Sequence, residues 1–488
     1  MQNISGLVFA IDRQAKTPVF EQICAAIRMR AISGALPQGG RLPATRVFAT
    51  ELGVSRSTVV TAYEQLVAEG YLHSVQGSGY TICAQGEVEL AQPALIAEQP
   101  VSAGQPEAVL PPMPFEPSQP DMRLFPHRQW AKTVARICRA NPQAMLVGGN
   151  TFGNYELRQA IAAHVAEWRG ITASPEQIIV TAGATDALEI CLGALTVAGD
   201  LVGLEDPGYL PLLGFVRSQG LVPHFVGVDD QGAELPEQQP DGAQTDGEQA
   251  GPRIVVLTPS HQYPLGGAMS PNRRLDYIRW AEANAAWIVE DDYDSEFRYA
   301  GRPIPAMAGF DRLNRTIYIG SFSKIFSNSL RLGYAIVPVD LIDAMRQRMR
   351  RSGLKASYMP QQPLAEFMNS GEFYRHLRRV RRIYAERRRF LLDHLMRDFA
   401  GYGQIRDVQA GMQIILHLDE RFRDTDLVRR AAARGVQVQP LSKYATVATG
   451  YNALILGFCG FDEAEMEPAL AALKSCFTDS LAAQNGPV

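Results

Sequence analysis

The order of apolar and polar positions along this 488-residue chain changes character twice. From about Ala10 to Ala84, apolar residues recur at helical spacing. In Pro18 to Ser33 (PVFEQICAAIRMRAIS), Phe20, Ile23, Ala26, Ile27 and Ile32 mark one helix, which Gly34 ends as a C′ glycine. Thr45 to Leu52 predicts a short second helix, broken by Gly53. Ser55 is the expected N-cap of a third, Arg56 to Glu69, which Gly70 stops. HSVQGSGYTI then alternates around a Gly-Ser-Gly turn, as a short hairpin does. Three helices and a hairpin predict a winged helix-turn-helix over residues 1–84.

Residues 85–120 are rich in Pro, Ala, Gln and Glu and have no sustained period, so they predict an extended linker. From Asp121 the pattern becomes short apolar runs alternating with amphipathic helices. IIVTAG, LVGLEDPG, RIVVLTPS, AAWIVEDDYD, TIYIGSFSK and LGYAIVP are the expected strands, with helices such as ATDALEICLGAL and NRRLDYIRWAEAN between them. This predicts an α/β domain over 121–480, with a mostly parallel sheet and a smaller α+β C-terminal part. The acidic, low-complexity stretch from Asp229 to Pro252 predicts a surface loop.

Composition narrows the class. With 46% apolar and 20% charged residues the chain is of soluble globular type. No apolar run approaches the roughly 20 residues that span a bilayer. MQNISGLVFAIDRQ lacks the basic and apolar regions of a signal peptide, so a cytoplasmic protein is expected. Cys24, Cys83, Cys138, Cys191, Cys459 and Cys476 are scattered singly, which predicts reduced thiols and neither disulfides nor a metal site. A net charge of −4 excludes a coat of basic charge but leaves room for a local basic patch.

Two groups of residues carry candidate chemistry. In the third helix Val59, Ala62, Tyr63, Leu66 and Val67 form an apolar stripe. Arg56, Ser57 and Thr61 are left on the open face, with Ser55 and Thr58 beside them at the helix start, where a helix-turn-helix meets bases and phosphates. Arg41 and Arg46 flank the second helix, placed for backbone phosphates. Gly77 and Gly79 let the hairpin approach a groove closely. Singly, each of these suits a small packing domain with solvated arginines.

The second group centres on Lys324 in SFSKIFSNSLRLGY. A lysine amine forms a Schiff base with an aldehyde such as pyridoxal phosphate. Asp291, at the end of a strand, is placed to keep a pyridinium nitrogen protonated, and Tyr293 to tune the imine proton. Gly183, Ala184 and Thr185 open a helix directly after a strand, a phosphate cradle that Ser321, Ser323 and Arg331 extend. Tyr209 is available to stack on a ring. Each residue alone has a duller reading, as a surface lysine, a turn cap or a surface ion pair.

Read together, these motifs carry a resemblance. G-x-RLP-x-x-R, L-x-VSR-x-TV and a Gly-x-Gly wing, in that order, resemble the GntR family of bacterial regulators. The Gly-Ala-Thr turn, DPGY, SHQYP-x-G, EDDYD and S-x-SK with a distal arginine resemble fold-type I aminotransferases from Asp121 onward. That likeness implies Lys324 as the internal aldimine lysine, Asp291 at the pyridinium and Tyr293 at the ring oxygen. It also implies Thr185, Ser321 and Arg331 at the phosphate and Tyr209 under the ring. The fusion resembles the MocR family of regulators, of the GabR type. It implies double-stranded operator DNA, a small amine effector and a domain-swapped homodimer.

The pattern departs in two places. Tyr263 stands where these enzymes usually have asparagine. YNALILGFCG (Tyr451 to Gly460) lacks the arginine that grips an α-carboxylate, and Lys443 nearby is only a point charge. Either the ligand has no conventional carboxylate or pyridoxal phosphate is itself the signal. A working aminotransferase tethered to DNA is the alternative reading, and an empty dimerisation scaffold a third. Steady keto-acid production would mark the second, and an unchanged DNA response in Lys324→Ala the third. The arginine-dense stretch GEFYRHLRRVRRIYAERRRFLLDHL predicts an amphipathic helix with Phe373, Leu377, Val380, Tyr384 and Leu391 inward. An auxiliary DNA contact and a dimer face are its other readings.

Overall fold

The computed structural model describes residues 9–75, 79–83, 112–143, 149–237, 251–301, 304–353, 355–406 and 409–484. It divides into two compact units, 1–109 and 110–488.

In the first unit, α1 (Val19–Ile32), α2 (Thr45–Leu52) and α3 (Arg56–Ala68) precede a hairpin of β1 (Leu72–Val75) and β2 (Gly79–Ile82). Ser55 caps α3, accepting from the Thr58 amide at 3.1 Å. Gly53 ends α2 with a positive φ of 63°. Tyr63, Phe48, Ile23, Ile27 and Leu66 are fully buried in one core. The inward stripe of α1 is Ile23, Cys24, Ile27 and Ala31, and Ile32 is exposed. Position 32 lies one residue past the i, i+4, i+8 row from Ile23, about 100° around the helix. The wing residues 76–78, Gly77 among them, lie outside the described residues.

The second unit is built on an eight-stranded sheet in the order β3 (Ile178–Thr181), β10 (Gly333–Ile336), β9 (Thr316–Ser321), β8 (Trp287–Asp292), β7 (Ile254–Leu257), β4 (Leu201–Asp206), β5 (Val222–Asp229) and β6 (Gly232–Ala233). β9, β8, β7, β4 and β5 run parallel, while β10 is antiparallel to both neighbours and β6 to β5. Apolar clusters cover the sheet on its two faces. A second sheet of β11 (Gly403–Ile405), β12 (Gln413–Leu418), β14 (Ala453–Gly457) and β13 (Gln439–Pro440) forms the smaller part. The arginine-rich helix Glu372–Asp398 buries Phe373, Leu377, Val380, Tyr384 and Leu391, as its spacing predicts.

Three boundaries differ from expectation. Residues 85–111 of the expected linker lie outside the described residues. Its last part, 112–120, is packed structure: Phe115 is fully buried, and the Gly457 amide donates to its carbonyl at 2.9 Å. Pro and Gln give no period there because these residues dock by backbone rather than by a repeating apolar face. The expected acidic loop begins as ordered chain, since Asp229 ends β5 and Gly232–Ala233 pair back on it; residues 238–250 are not described. At the other end, helix Glu463–Gln484 carries the domain past residue 480.

Candidate functional site

Parallel strands deliver side chains to their carboxyl ends, and the site lies there. Thr181 ends β3, Asp206 ends β4, Ser321 ends β9 and Asp291 is next to last on β8. A cavity of about 420 Å³ is lined by Gly183, Ala184, Thr185, Tyr209, Asp291, Tyr293, Ser321, Ser323, Lys324 and Arg331, which are the cofactor residues expected from the sequence. Ser118, Thr258, Tyr263 and Asn328 also line it.

The acidic run Glu290-Asp291-Asp292 shows how the strand sorts its side chains. Successive residues face opposite sides. Glu290 is buried and accepts the amides of Met307 and Ala308 at 3.0 and 2.9 Å, closing a short helix. Asp292 pairs with Arg169 at 2.7 Å and accepts from Tyr318 at 2.6 Å, both away from the cavity. Asp291 points the other way, into the cavity, and its Oδ1 is buried with no hydrogen-bond partner. Burial, with Asp292, Glu205 and Asp294 nearby, pushes its pKa up to about 7. An orphaned carboxylate oxygen is costly to keep. A protonated pyridine nitrogen is a partner of the right charge and geometry, so the residues present fit pyridoxal phosphate.

The phosphate end fits as well. Gly183 has φ +112°, open to glycine, and starts the helix Ala184–Leu195. A side chain on Gly333 of β10 would lie 2.8 Å from the Gly183 backbone, so a bare β10 lets the turn sit against the sheet. The Thr185 hydroxyl is 3.5 Å from that of Tyr209. The Arg331 guanidinium has no carboxylate partner among the described residues. This end therefore presents helix amides, hydroxyls and one cation, the set that binds a phosphate.

Lys324 lies between these ends. Its ammonium donates to the Ser118 carbonyl at 2.7 Å. Burial lowers its pKa, with Asp294 opposing the shift. A depressed pKa raises the neutral fraction, the form that attacks a carbonyl. Tyr293 lines the cavity and its hydroxyl is 2.9 Å from His261 Nδ1. Tyr263 packs edge-on against Tyr209, Tyr293 and Tyr444, with centroids 5.9, 5.6 and 5.6 Å away. Tyr263 thus gives the cavity an aromatic wall. Lys443 is exposed, on a short turn of helix, and does not line the cavity.

Sequence reasoning missed Ser118, Thr258, Glu205, His261 and Asp294. The signal for the last two was available, since SHQYP and EDDYD place polar groups beside apolar strands. Only the fold brings them together across 33 residues.

In the first unit, Arg56, Ser57 and Thr61 are exposed on α3, and Arg46 is exposed on α2. The Ser55 hydroxyl is 2.8 Å from that of Ser57 and 2.7 Å from that of Thr58, so all three are engaged in closing the helix start. Arg41 is half-buried and lies against Gly79, where an added side-chain carbon would be 3.5 Å from its Nε. Arg13, not foreseen, donates to the Gly53 carbonyl at 2.7 Å and braces the turn between α2 and α3.

Comparison with known proteins bears on both units. Residues 20–82 match the bacterial regulatory proteins of the gntR family, and residues 118–473 match aminotransferase class I and II. The chain is 36% identical to a probable rhizopine catabolism regulatory protein, MocR, of Rhizobium meliloti, over 96% of each chain. It is 33% identical to the pyridoxine biosynthesis transcriptional regulator PdxR of Corynebacterium glutamicum, over 96% of this chain and 98% of that one. Among solved structures it resembles the α-aminoadipate aminotransferase LysN of Thermus thermophilus, complexed with N-(5′-phosphopyridoxyl)-L-leucine. That match has 27% identity and a TM-score of 0.66, over 76% of this chain and 93% of that one.

Proposed function

The chain belongs to the MocR/GabR type of transcription regulators, a GntR-family reader fused to an aminotransferase class I and II domain, and on that premise we propose that it binds pyridoxal phosphate at Lys324 and changes its hold on operator DNA when a small amine reaches that site. When bound, pyridoxal phosphate supplies an aldehyde that condenses with primary amines. The chain's own residues do the rest. Asp291 holds the ring nitrogen, the Gly183–Thr185 turn with Ser321 and Arg331 holds the phosphate, and Tyr209 and Tyr263 wall the ring. Arg56, Ser57 and Thr61 meet the bases, while Arg46 and Arg41 meet phosphates. The expected setting is the cytoplasm; among the described residues no helix is long and apolar enough to cross a membrane. A homodimer with exchanged reader domains is the expected assembly.

The observation that carries the coupling is the bond from Lys324 to Ser118. Ser118 belongs to the packed last part, 112–120, of the expected linker. A lysine amine committed to an aldehyde carbon no longer offers Ser118 an ammonium. The segment thus feels whether Lys324 is engaged, and it leads in sequence straight back to the reader. The ligand expected is an amine without an α-carboxylate. Lys324 and Arg331 are the only cations lining the cavity among the described residues, and both have other partners in this reading. This disfavours an ordinary transamination cycle.

An absorption spectrum tests the reading. The purified chain with pyridoxal phosphate is expected to show a visible band that Lys324→Ala lacks and that shifts with an effector amine. No band in the wild type would refute it.

A further inference from the structure

Behind Tyr293 lie two buried residues that do not line the cavity, His261 and Asp294. His261 Nδ1 is 2.9 and 3.0 Å from the two Asp294 carboxylate oxygens and 2.9 Å from the Tyr293 hydroxyl oxygen. The His261 and Asp294 side chains are 4% and 2% exposed. Gly411 makes room for the ring, because a side-chain carbon there would come within 2.0 Å of His261 Cε1.

One ring nitrogen now has two neighbours and at most one hydrogen to share. A carboxylate can only accept, and its charge-assisted bond is the stronger claim. Nδ1 therefore carries hydrogen toward Asp294. The Tyr293 oxygen cannot donate to a nitrogen that already bears hydrogen, so its own hydrogen points elsewhere. That hydrogen stays in place. Burial, then Asp294, Tyr263, Asp291 and Glu205, all raise the Tyr293 pKa well above the phenol range.

We infer that His261, held by Asp294, is a positioning residue that meets the Tyr293 oxygen from behind and turns its hydroxyl hydrogen into the cavity, toward the ring oxygen of the bound cofactor. This rests on the reading of Lys324 given above. A hydrogen bond donated to an oxygen favours the form carrying more negative charge there. It therefore holds down the pH at which the lysine-linked cofactor gives up its proton. The protein groups facing that proton are Asp294 and Cys459 beside Lys324, with Asp291 across the ring.

The test is a pH titration of the visible band on the full chain loaded with pyridoxal phosphate. In His261→Asn an amide nitrogen takes the place of Nδ1; in His261→Gln it takes the place of Nε2. The Asn variant is expected to keep the wild-type midpoint, and the Gln variant to raise it by about half a pH unit to one unit. Tyr293→Phe raises it at least as far, and adding His261→Gln to that variant raises it no further. Equal midpoints for the Asn and Gln variants, or additive shifts in the double variant, would overturn the inference. If the Gln variant does not fold, Asp294→Asn replaces it. Loss of the Asp294 charge beside Lys324 lowers the midpoint by itself, so a shift that lies further upward with Tyr293 present than with Phe supports the positioning role, and equal shifts in the two backgrounds refute it. A wild type without any visible band removes the reading of Lys324, and this inference with it. A wild type whose band titrates identically in every His261 variant removes only the inference.

Discussion

On β8 a single residue separates a carboxylate locked in an ion pair from one with an unpartnered oxygen. Asp292 has Arg169 and Tyr318; Asp291 Oδ1 has nothing. The difference sets a sign. Asp291 titrates near pH 7 in the folded chain, above the carboxylate value of 3.8, so between those values the folded state binds more protons than the unfolded one. Its contribution is present at low pH and is lost as pH rises through about 7. Without cofactor, Asp291→Asn should therefore be more stable than the wild type at about pH 8, by at least ~1 kcal/mol in urea unfolding, and the gap should narrow as pH falls below about 7 and close only below about pH 4. The same variant should bind pyridoxal phosphate about tenfold more weakly or worse, measured by fluorescence titration, because the pyridinium loses a charged partner. A variant that loses affinity but gains cofactor-free stability separates a site residue from a structural one.

At the scale of the element, the strands that reach the site were legible because they are buried on both faces and read as unbroken apolar runs. β5 was not, since VPHFVGVD is mostly half-buried and mixes polar with apolar residues. The reversal of β10 was not legible either, because periodicity carries no strand direction. Yet β10 matters to the cradle. Gly333→Ala would push a carbon against the Gly183 and Ala184 backbones, which have no side chain to move aside. Overpacking of this kind costs about 1–3 kcal/mol, and cofactor affinity should fall with stability, as dialysis against free pyridoxal phosphate would show. In the reader, the sequence named the cap correctly, and Ser55 accepts from the Thr58 amide. Ser55→Ala should cost the reader about 1 kcal/mol of stability in thermal unfolding and weaken DNA binding, because the capped turn carries Arg56.

At the scale of the molecule, the division into a reader and a cofactor domain was plain from the two changes of pattern. The contact on which the proposed coupling rests was not. Ser118 and Lys324 are 206 residues apart, and nothing in a carbonyl's sequence context announces its donor. The arginine-rich helix behaves at this scale mainly as a packing element, its apolar stripe buried and Arg387 paired with Asp121 at 2.8 Å. On the proposed function, the state of Lys324 is felt at the DNA. The measurement that tests it is the affinity of the full chain for a duplex selected from a random pool, with pyridoxal phosphate titrated in at fixed salt, for the wild type and Lys324→Ala. The expected affinity changes several-fold with the cofactor in the wild type and stays constant in Lys324→Ala. Equal curves for the two proteins, with the cofactor bound in the wild type, would contradict it.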